Sequence, residues 1–530
     1  MRGSSRLLTR TLNPHAMPLL LAGLVAAWSP VPVLSAQSLA RRVEAVMARP
    51  EFAHAFFGVE FYDLAAKKPV YRLNGDKFFT PASTTKLLSV GTALELLGAD
   101  YRFHTRVYRT GPIGPGGILE GDLVLVASGD PNLSGRARPD GTLAFKDEDH
   151  SYAGEAVDGD PLAVIRELAG QIAARGIRRV TGRVIVDATL FRGGDREGGT
   201  AVVISPIAVN DNVIDLLVTP GQKAGDPAAV TVAPATAYLR LTAHALTVPK
   251  DSAGSGDFTT DVANPDGSRT VVLSGTIPVG RATRVVPYAV PDPVRFAEFV
   301  FTEALHERGV AAAARQEGET IAFAGLAASY TDQNAVAEHV SLPLSEEAKV
   351  TLKVSQNLHA SMMPRIVGAV VGKKSDAQAG FDLEREWLTR AGLDVSSASQ
   401  GDGAGASAHY TPDFMVAYLA FMAGTKSFPA FFAGLPVLGK DGTLFNIQVA
   451  SPAAGQVHGK TGTFGDGDLL NRGQMVTAKG LAGYFTRPDG RRFAFAVYIN
   501  NVIVKHDADV RRIVGEAVGE IAAAGYLARP

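Results

Sequence analysis

Ser83-Thr84-Thr85-Lys86-Leu87-Leu88-Ser89-Val90-Gly91-Thr92-Ala93-Leu94-Glu95-Leu96-Leu97 is the stretch from which the rest of the chain is read. After Pro81, the residues Leu87, Leu88, Val90, Ala93, Leu94 and Leu97 recur at helical spacing, with Gly98 as the stop. Ser83 therefore stands at a helix start, and Lys86 lies one turn on along the same face. A serine hydroxyl is a poor nucleophile until a neighbour takes its proton. A lysine does this when burial and nearby cations lower its pKa. The helix start adds backbone N–H groups and the positive dipole end, which favour a developing oxyanion. Alone, the same residues also fit a plain N-cap followed by an ordinary lysine.

Two later segments change the balance. Ser355-Gln356-Asn357 follows an alternating run, Lys349-Val350-Thr351-Leu352-Lys353-Val354, and Lys460-Thr461-Gly462-Thr463 precedes a loop and the final strands. Among the lysines only Lys86 has a serine three residues before it, and among the asparagines only Asn357 has one two residues before it. A second serine beside a Ser/Lys pair relays a proton to a leaving amine, while an asparagine amide both donates to and accepts from a peptide. Gly462 lets the backbone run close to a ligand, and Lys460, Thr461 and Thr463 suit a terminal carboxylate. The Thr463 N–H completes an oxyanion hole with that of Ser83. In this order the motifs read as an acyl-serine site. Ser83, Lys86, Ser355, Asn357 and Lys460 are its candidate catalytic residues, with Thr461, Gly462 and Thr463 as candidate substrate contacts. His359, two residues past Asn357, reads as structural.

At 530 residues, two or three domains are expected. A net charge of −1 removes any general argument for nucleic acid or an anionic membrane as partner. With no cysteine, neither disulfides nor thiolate metal sites are available. No metal or cofactor is expected. Asp466 and Asp468 lack the rest of a calcium loop, and Asp402-Gly403-Ala404-Gly405-Ala406-Ser407 has the wrong glycine spacing for a dinucleotide. Arg2, Arg6 and Arg10, the apolar run Met17 to Trp28 and Ser35-Ala36 read as an export signal over 1–36, which places the chain outside the cytoplasm, in the periplasm. That run is too short for a span, and no later segment is long and apolar enough to cross a bilayer.

The organisation is that of a split domain. Phe57 to Tyr62 and Pro69 to Leu73 form a hairpin near the start, and Gly480 to Phe485 and Arg492 to Ile499 form one near the end, turning at Pro488-Asp489-Gly490. A last helix carries Val510, Ile513, Val514, Ala517, Val518 and Ile521 on one stripe, a core face rather than a membrane anchor. The stretch between the first two motifs is far longer than a connection needs. It is rich in strand patterns, such as Gly121 to Val126 and Gly182 to Asp187, with helical pieces at Pro161 to Arg175 and Val294 to Arg308. Asp251 to Asp266 reads as an exposed loop. The expected division is a leader at 1–36, a catalytic domain in two parts, 37–105 and 345–530, and inserted accessory domains over 106–344.

The chain resembles the D-alanyl-D-alanine carboxypeptidases/endopeptidases of the class C low-molecular-mass penicillin-binding type, the penicillin-binding protein 4 or DacB family. The resemblance runs through Thr80 to Leu87, Ser128-Gly129-Asp130-Pro131, Val209-Asn210-Asp211-Asn212, Leu352 to Leu358, Leu435-Pro436-Val437, Asp441 to Leu444 and Lys460 to Thr463. It implies an α/β (α+β) fold, with a transpeptidase/β-lactamase-like catalytic domain split by a long insertion that forms one or two mostly β accessory domains. It also implies cleavage of D-Ala-D-Ala ends or cross-links of peptidoglycan peptides through acylated Ser83, with β-lactam antibiotics as covalent inhibitors. The sequence departs from the family at Ala404 and Ala406, where Asp-Gly-Ser-Gly-Leu-Ser is common. A serine β-lactamase and a silent peptidoglycan-binding scaffold remain the competing readings.

Overall fold

The computed structural model describes residues 33–528. One antiparallel sheet gathers the two ends of the chain. Its strands run in the order Val457–Asp468, Gly473–Thr486, Arg492–Asn500, Phe56–Asp63 and Lys68–Leu73. Val502–Val504 pairs alongside Gly473–Thr486. The first strand therefore lies against the Arg492–Asn500 strand, with Val59 opposite Val497.

Side chains alternate across a strand, so one sheet supplies two cores. Ala494, Ala496 and Tyr498 pack with Leu87, Leu88, Val90 and Leu94 of the Lys86–Leu96 helix, and with Leu358 and Met362 of the Asn357–Val370 helix. Phe493, Phe495, Val497 and Ile499, the intervening residues, pack with Leu39, Val43 and Val46 of the Val33–Met47 helix and with Val518 and Ile521 of Glu516–Leu527. Each of the buried Leu, Val, Ile, Phe and Met side chains contributes about 1.5–3 kcal/mol of transfer free energy. The result is helix, sheet, helix in three layers. The expected leader lies outside the described residues apart from 33–36, which begin the Val33–Met47 helix.

The stretch between the first and second motifs has its own core. Leu123, Leu125, Val184 and Val186 of a four-stranded sheet pack against Ile165, Leu168 and Ile172 of the Ala163–Ala174 helix and Phe296, Val300 and Leu305 of the Pro293–Glu307 helix. Smaller three-stranded sheets extend this body.

Two expectations are corrected. The polar run around Asp251 to Asp266 is not a loop throughout, because Ser255–Ala263 is an edge strand hydrogen-bonded to Arg269–Pro278. An edge strand is solvated along one side, so it tolerates the glycine- and aspartate-rich composition that suggested a loop. Its one aromatic residue, Phe258, meets Tyr288 edge-on at 5.4 Å. The alternating run Lys349 to Val354 belongs mostly to a helix, Leu344–Lys353. Leu344, Ala348 and Leu352 recur at i, i+4 and are buried in one cluster. Glu346 and Glu347 in the first turn and Lys353 in the last complement the helix dipole. Six residues are too few to separate the two periods.

Candidate active site

Ala82–Thr85 forms one tight turn that runs directly into the Lys86–Leu96 helix, so Ser83 is held at the helix mouth. Lys86 is fully buried, and its Nζ lies 2.7 Å from Ser83 Oγ, 2.6 Å from Asn357 Oδ1, and 3.3 Å from both Ser355 Oγ and the Ala404 carbonyl. Four oxygens from three separate segments thus surround one amine. Burial lowers the Lys86 pKa from 10.5 to about 7, with Glu197 and Asp402 opposing the shift. The neutral amine that results has a lone pair, and Ser83 Oγ–H is the nearest hydroxyl able to use it.

Both serines sit beside backbone strain. Ala82 has φ +46° and Ser355 φ +65°, left-handed values that cost a residue with a Cβ on the order of 1–2 kcal/mol each. Ser355 occupies the corner between the Leu344–Lys353 and Asn357–Val370 helices. Its carbonyl accepts a 2.8 Å hydrogen bond from Tyr152 Oη.

The third motif lies on Val457–Asp468, with Gly462 opposite Gly480 and Thr463 opposite Lys479. A Cβ on Gly462 would stand 2.2 Å from the Pro81 carbonyl and 3.1 Å from Ser83 N, so only glycine lets this strand press on the Ser83 turn. Thr461 and Thr463 line a cavity of about 650 Å³ together with Ser83, Ser355, Asn357 and Lys479. Lys460 is placed differently from the reading of a carboxylate-binding side chain. It is fully buried behind the cavity wall, and its Nζ donates to the Thr461 carbonyl at 2.7 Å. Burial, then repulsion from Lys86 and Lys479, holds its amine well below the usual lysine range.

The altered segment at Asp402 acts through its backbone. The Asp402 carboxylate accepts from the N–H groups of Ala404 and Ser407, at 2.7 and 2.6 Å, and the loop so formed aims the Ala404 carbonyl at Lys86. Alanine supplies that carbonyl as well as serine does. Gly405, at φ +102°, packs where a Cβ would stand 2.0 Å from the Ala82 carbonyl.

Much of the site comes from the stretch between the first two motifs, where sequence reading named no site residue. Asp147, Tyr152, Glu197 and Gly199 line the cavity. Behind them lies a buried ionic network. Arg136 Nη2 meets Asp149 Oδ2 at 3.0 Å and Asp211 Oδ2 at 2.6 Å. His150 bridges Asp211 and Asp215, and His359 Nε2 lies 2.8 Å from Asp211 Oδ1 with its Nδ1 2.7 Å from Glu347. Burial works against charge on these imidazoles. The surrounding carboxylates nonetheless raise His150 (Asp149, Asp211, Asp215) and His359 (Glu347, Asp211) to about 10. His359 is thereby fixed as part of this network, away from Ser83. Gln356 Nε2 donates to Asp149 Oδ1 and Asp211 Oδ2, which ties the second motif to the network. Asp149, His150 and Asp211 also have the proximity of a metal set, but Arg136 already supplies the cation there.

The aim of Asp211 has a local cause. Asn210, Asp211 and Asn212 have φ of +47°, +57° and +54°, and Asn and Asp are the non-glycine residues that adopt this region most readily. Asn210 Nδ2 caps the Val213 carbonyl and Asn212 Nδ2 the Val203 and Ile207 carbonyls, which holds the reversed turn. Asp211 is left pointing into the network.

Residues 39–524 match the D-Ala-D-Ala carboxypeptidase 3 (S13) family. The chain belongs to that family. It is 28% identical over 522 residues to a D-alanyl-D-alanine carboxypeptidase of Actinomadura sp. (strain R39), covering 94% of this chain and 88% of that one. Its fold is that of penicillin binding protein 4 (dacB) from Haemophilus influenzae, with a TM-score of 0.68 at 19% identity, covering 91% of this chain and 99% of that one. The same protein complexed with a novel β-lactam gives a TM-score of 0.65, also at 19% identity, over 93% of this chain and 99% of that one.

The site yields two expectations. Only neutral Lys86 accepts a proton, so the rate of Ser83 acylation by a reactive acyl donor rises with pH through about 7 and levels above it. A pH-independent rate between 5.5 and 8.5 (roughly 1.5 pH units either side of that value) excludes Lys86 as the base. Removing one partner from a buried ion network leaves uncompensated charge, so Asp211→Ala destabilises the fold by about 3–5 kcal/mol, read as a lower thermal midpoint.

Proposed function

We propose that this chain is a serine D-Ala-D-Ala carboxypeptidase that acts on peptidoglycan stem peptides, and on cross-links as an endopeptidase, through an acyl-enzyme on Ser83. The observation that carries this is the Lys86 amine, held between Ser83 Oγ and the Ser355–Asn357 pair at the wall of an open cavity. In the proposed cycle neutral Lys86 takes the Ser83 proton as Oγ attacks the carbonyl of the penultimate D-alanine. The N–H groups of Ser83 and Thr463 stabilise the oxyanion. Lys86 then passes its proton through Ser355 Oγ to the departing amine of the terminal D-alanine, and the tetrahedral species collapses to an ester. Water, deprotonated along the same route, hydrolyses that ester. Asn357 holds the amide flanking the scissile bond, and Lys460 supports the wall that carries Thr461, Gly462 and Thr463.

A β-lactam offers a strained amide with similar geometry, so these drugs acylate Ser83. Slow deacylation is the reading supported over a β-lactamase. One carboxylate of the cavity lining, Glu197, is occupied by the N–H groups of Gly199 and Thr200 and by the Thr200 hydroxyl rather than free to activate water. We take 37–105 and 345–530 as the catalytic domain and 106–344 as the accessory insertion. An export leader over 1–36 and a periplasmic setting fit a substrate found outside the cytoplasm.

The test is release of free D-alanine from a peptide ending in D-Ala-D-Ala. Wild-type protein releases it with turnover, and Ser83→Ala, correctly folded by circular dichroism, loses at least about 10³-fold. Turnover that survives Ser83→Ala overturns the mechanism. Hydrolysis of a cephalosporin with no action on the peptide makes the chain a β-lactamase instead.

A further inference from the structure

Two cations line the cavity, Lys479 and Arg511. The Arg511 guanidinium is committed to Glu148, 2.6 Å away at the rim. Lys460, the cation that the motif itself supplies, is buried behind the wall on the Thr461 carbonyl. Lys479 is different. It stands directly opposite Thr463 in the antiparallel register, so both side chains project from the same face of the sheet. Its Nζ donates to Thr463 Oγ1 at 2.7 Å, and the residue is only 8% exposed. Among the described residues no carboxylate forms an ion pair with it.

We propose that Lys479 is the residue that binds the free carboxylate at the C-terminus of the substrate, with Thr463 as its hydroxyl partner. This rests on the acyl-transfer reading above and moves the carboxylate contact from Lys460 to a residue outside the motif. A lysine ammonium has three donors, of which Thr463 takes one. A buried cation without a counter-ion is costly, and an arriving carboxylate relieves that cost. Burial, followed by repulsion from Arg511, brings the Lys479 pKa down to about 8, so at neutral pH the ammonium form predominates. A peptide whose last residue carries a free carboxylate is therefore favoured over the same peptide capped as an amide.

The experiment compares kcat/KM for a D-Ala-D-Ala peptide with a free C-terminus and for its C-terminal primary amide, in wild type, K479M and K479R. Wild type prefers the acid. In K479M that preference falls by about 10- to 100-fold, the worth of a charge-assisted hydrogen bond, mainly through KM, and K479R restores part of it. K479Q keeps a donor to Thr463 and is expected to lose the preference likewise, which serves where K479M does not fold. An unchanged acid-over-amide ratio in either neutral variant overturns the assignment alone. Wild-type protein that turns over neither peptide overturns the acyl-transfer reading and this assignment together.

Discussion

A single buried amine organises this molecule. Lys86 has no contact with solvent, and the oxygens around its Nζ come from the Ser83 turn, the Ser355–Asn357 corner and the Ala404 loop. Burying a lysine is tolerable only when its donors are met and its charge is partly relinquished. The same desolvation that makes the position costly turns the lysine into a base near neutral pH. Structure and chemistry thus share one cause. The three segments converge on the amine and supply its oxygens, and by excluding water from it they bring its pKa down to about 7.

That arrangement depends on the stretch between the first two motifs. Ser355 is held in a left-handed conformation that a serine does not favour by itself. Tyr152 binds its carbonyl, and Gln356 beside it is anchored to Asp149 and Asp211. Asp149 and Asp211 are in turn neutralised by Arg136, and Asp211 also by the charged imidazoles of His150 and His359. Strain at the second serine is therefore offset by ionic contacts in a region remote in sequence. The insertion is a wall of the active site as well as an accessory body.

The candidate site was legible because Ser83, Lys86, Ser355, Asn357, Thr461 and Thr463, which the structure brings together, sit in short motifs whose residue types have few other uses in that order. The strands near the two ends of the chain were legible too, since Arg492 to Asn500 is a short apolar run bounded by turn residues, as expected of a strand buried on both faces. Less visible was anything that depends on pairing across the sheet. Lys479 has no neighbouring motif, and only the register opposite Thr463 brings it to the cavity. Arg136, His150 and Asp211 are scattered charges whose partners lie up to 148 residues away, as His359 does from Asp211. The segment Val209-Asn210-Asp211-Asn212 stood out as a family match, yet its meaning is a run of left-handed residues that no periodicity announces. At Lys349 to Val354 alternation was present in the sequence but subordinate to a helix whose buried stripe began earlier, at Leu344.

The most direct test of the account is to locate the covalent bond. Protein incubated with benzylpenicillin, digested and mapped by mass spectrometry, is predicted to carry one penicilloyl group, on the peptide that contains Ser83 and on that serine. An adduct on any other residue, or neither adduct nor drug hydrolysis in folded protein, contradicts the claim that Lys86 and its four oxygens form a serine-acylating centre.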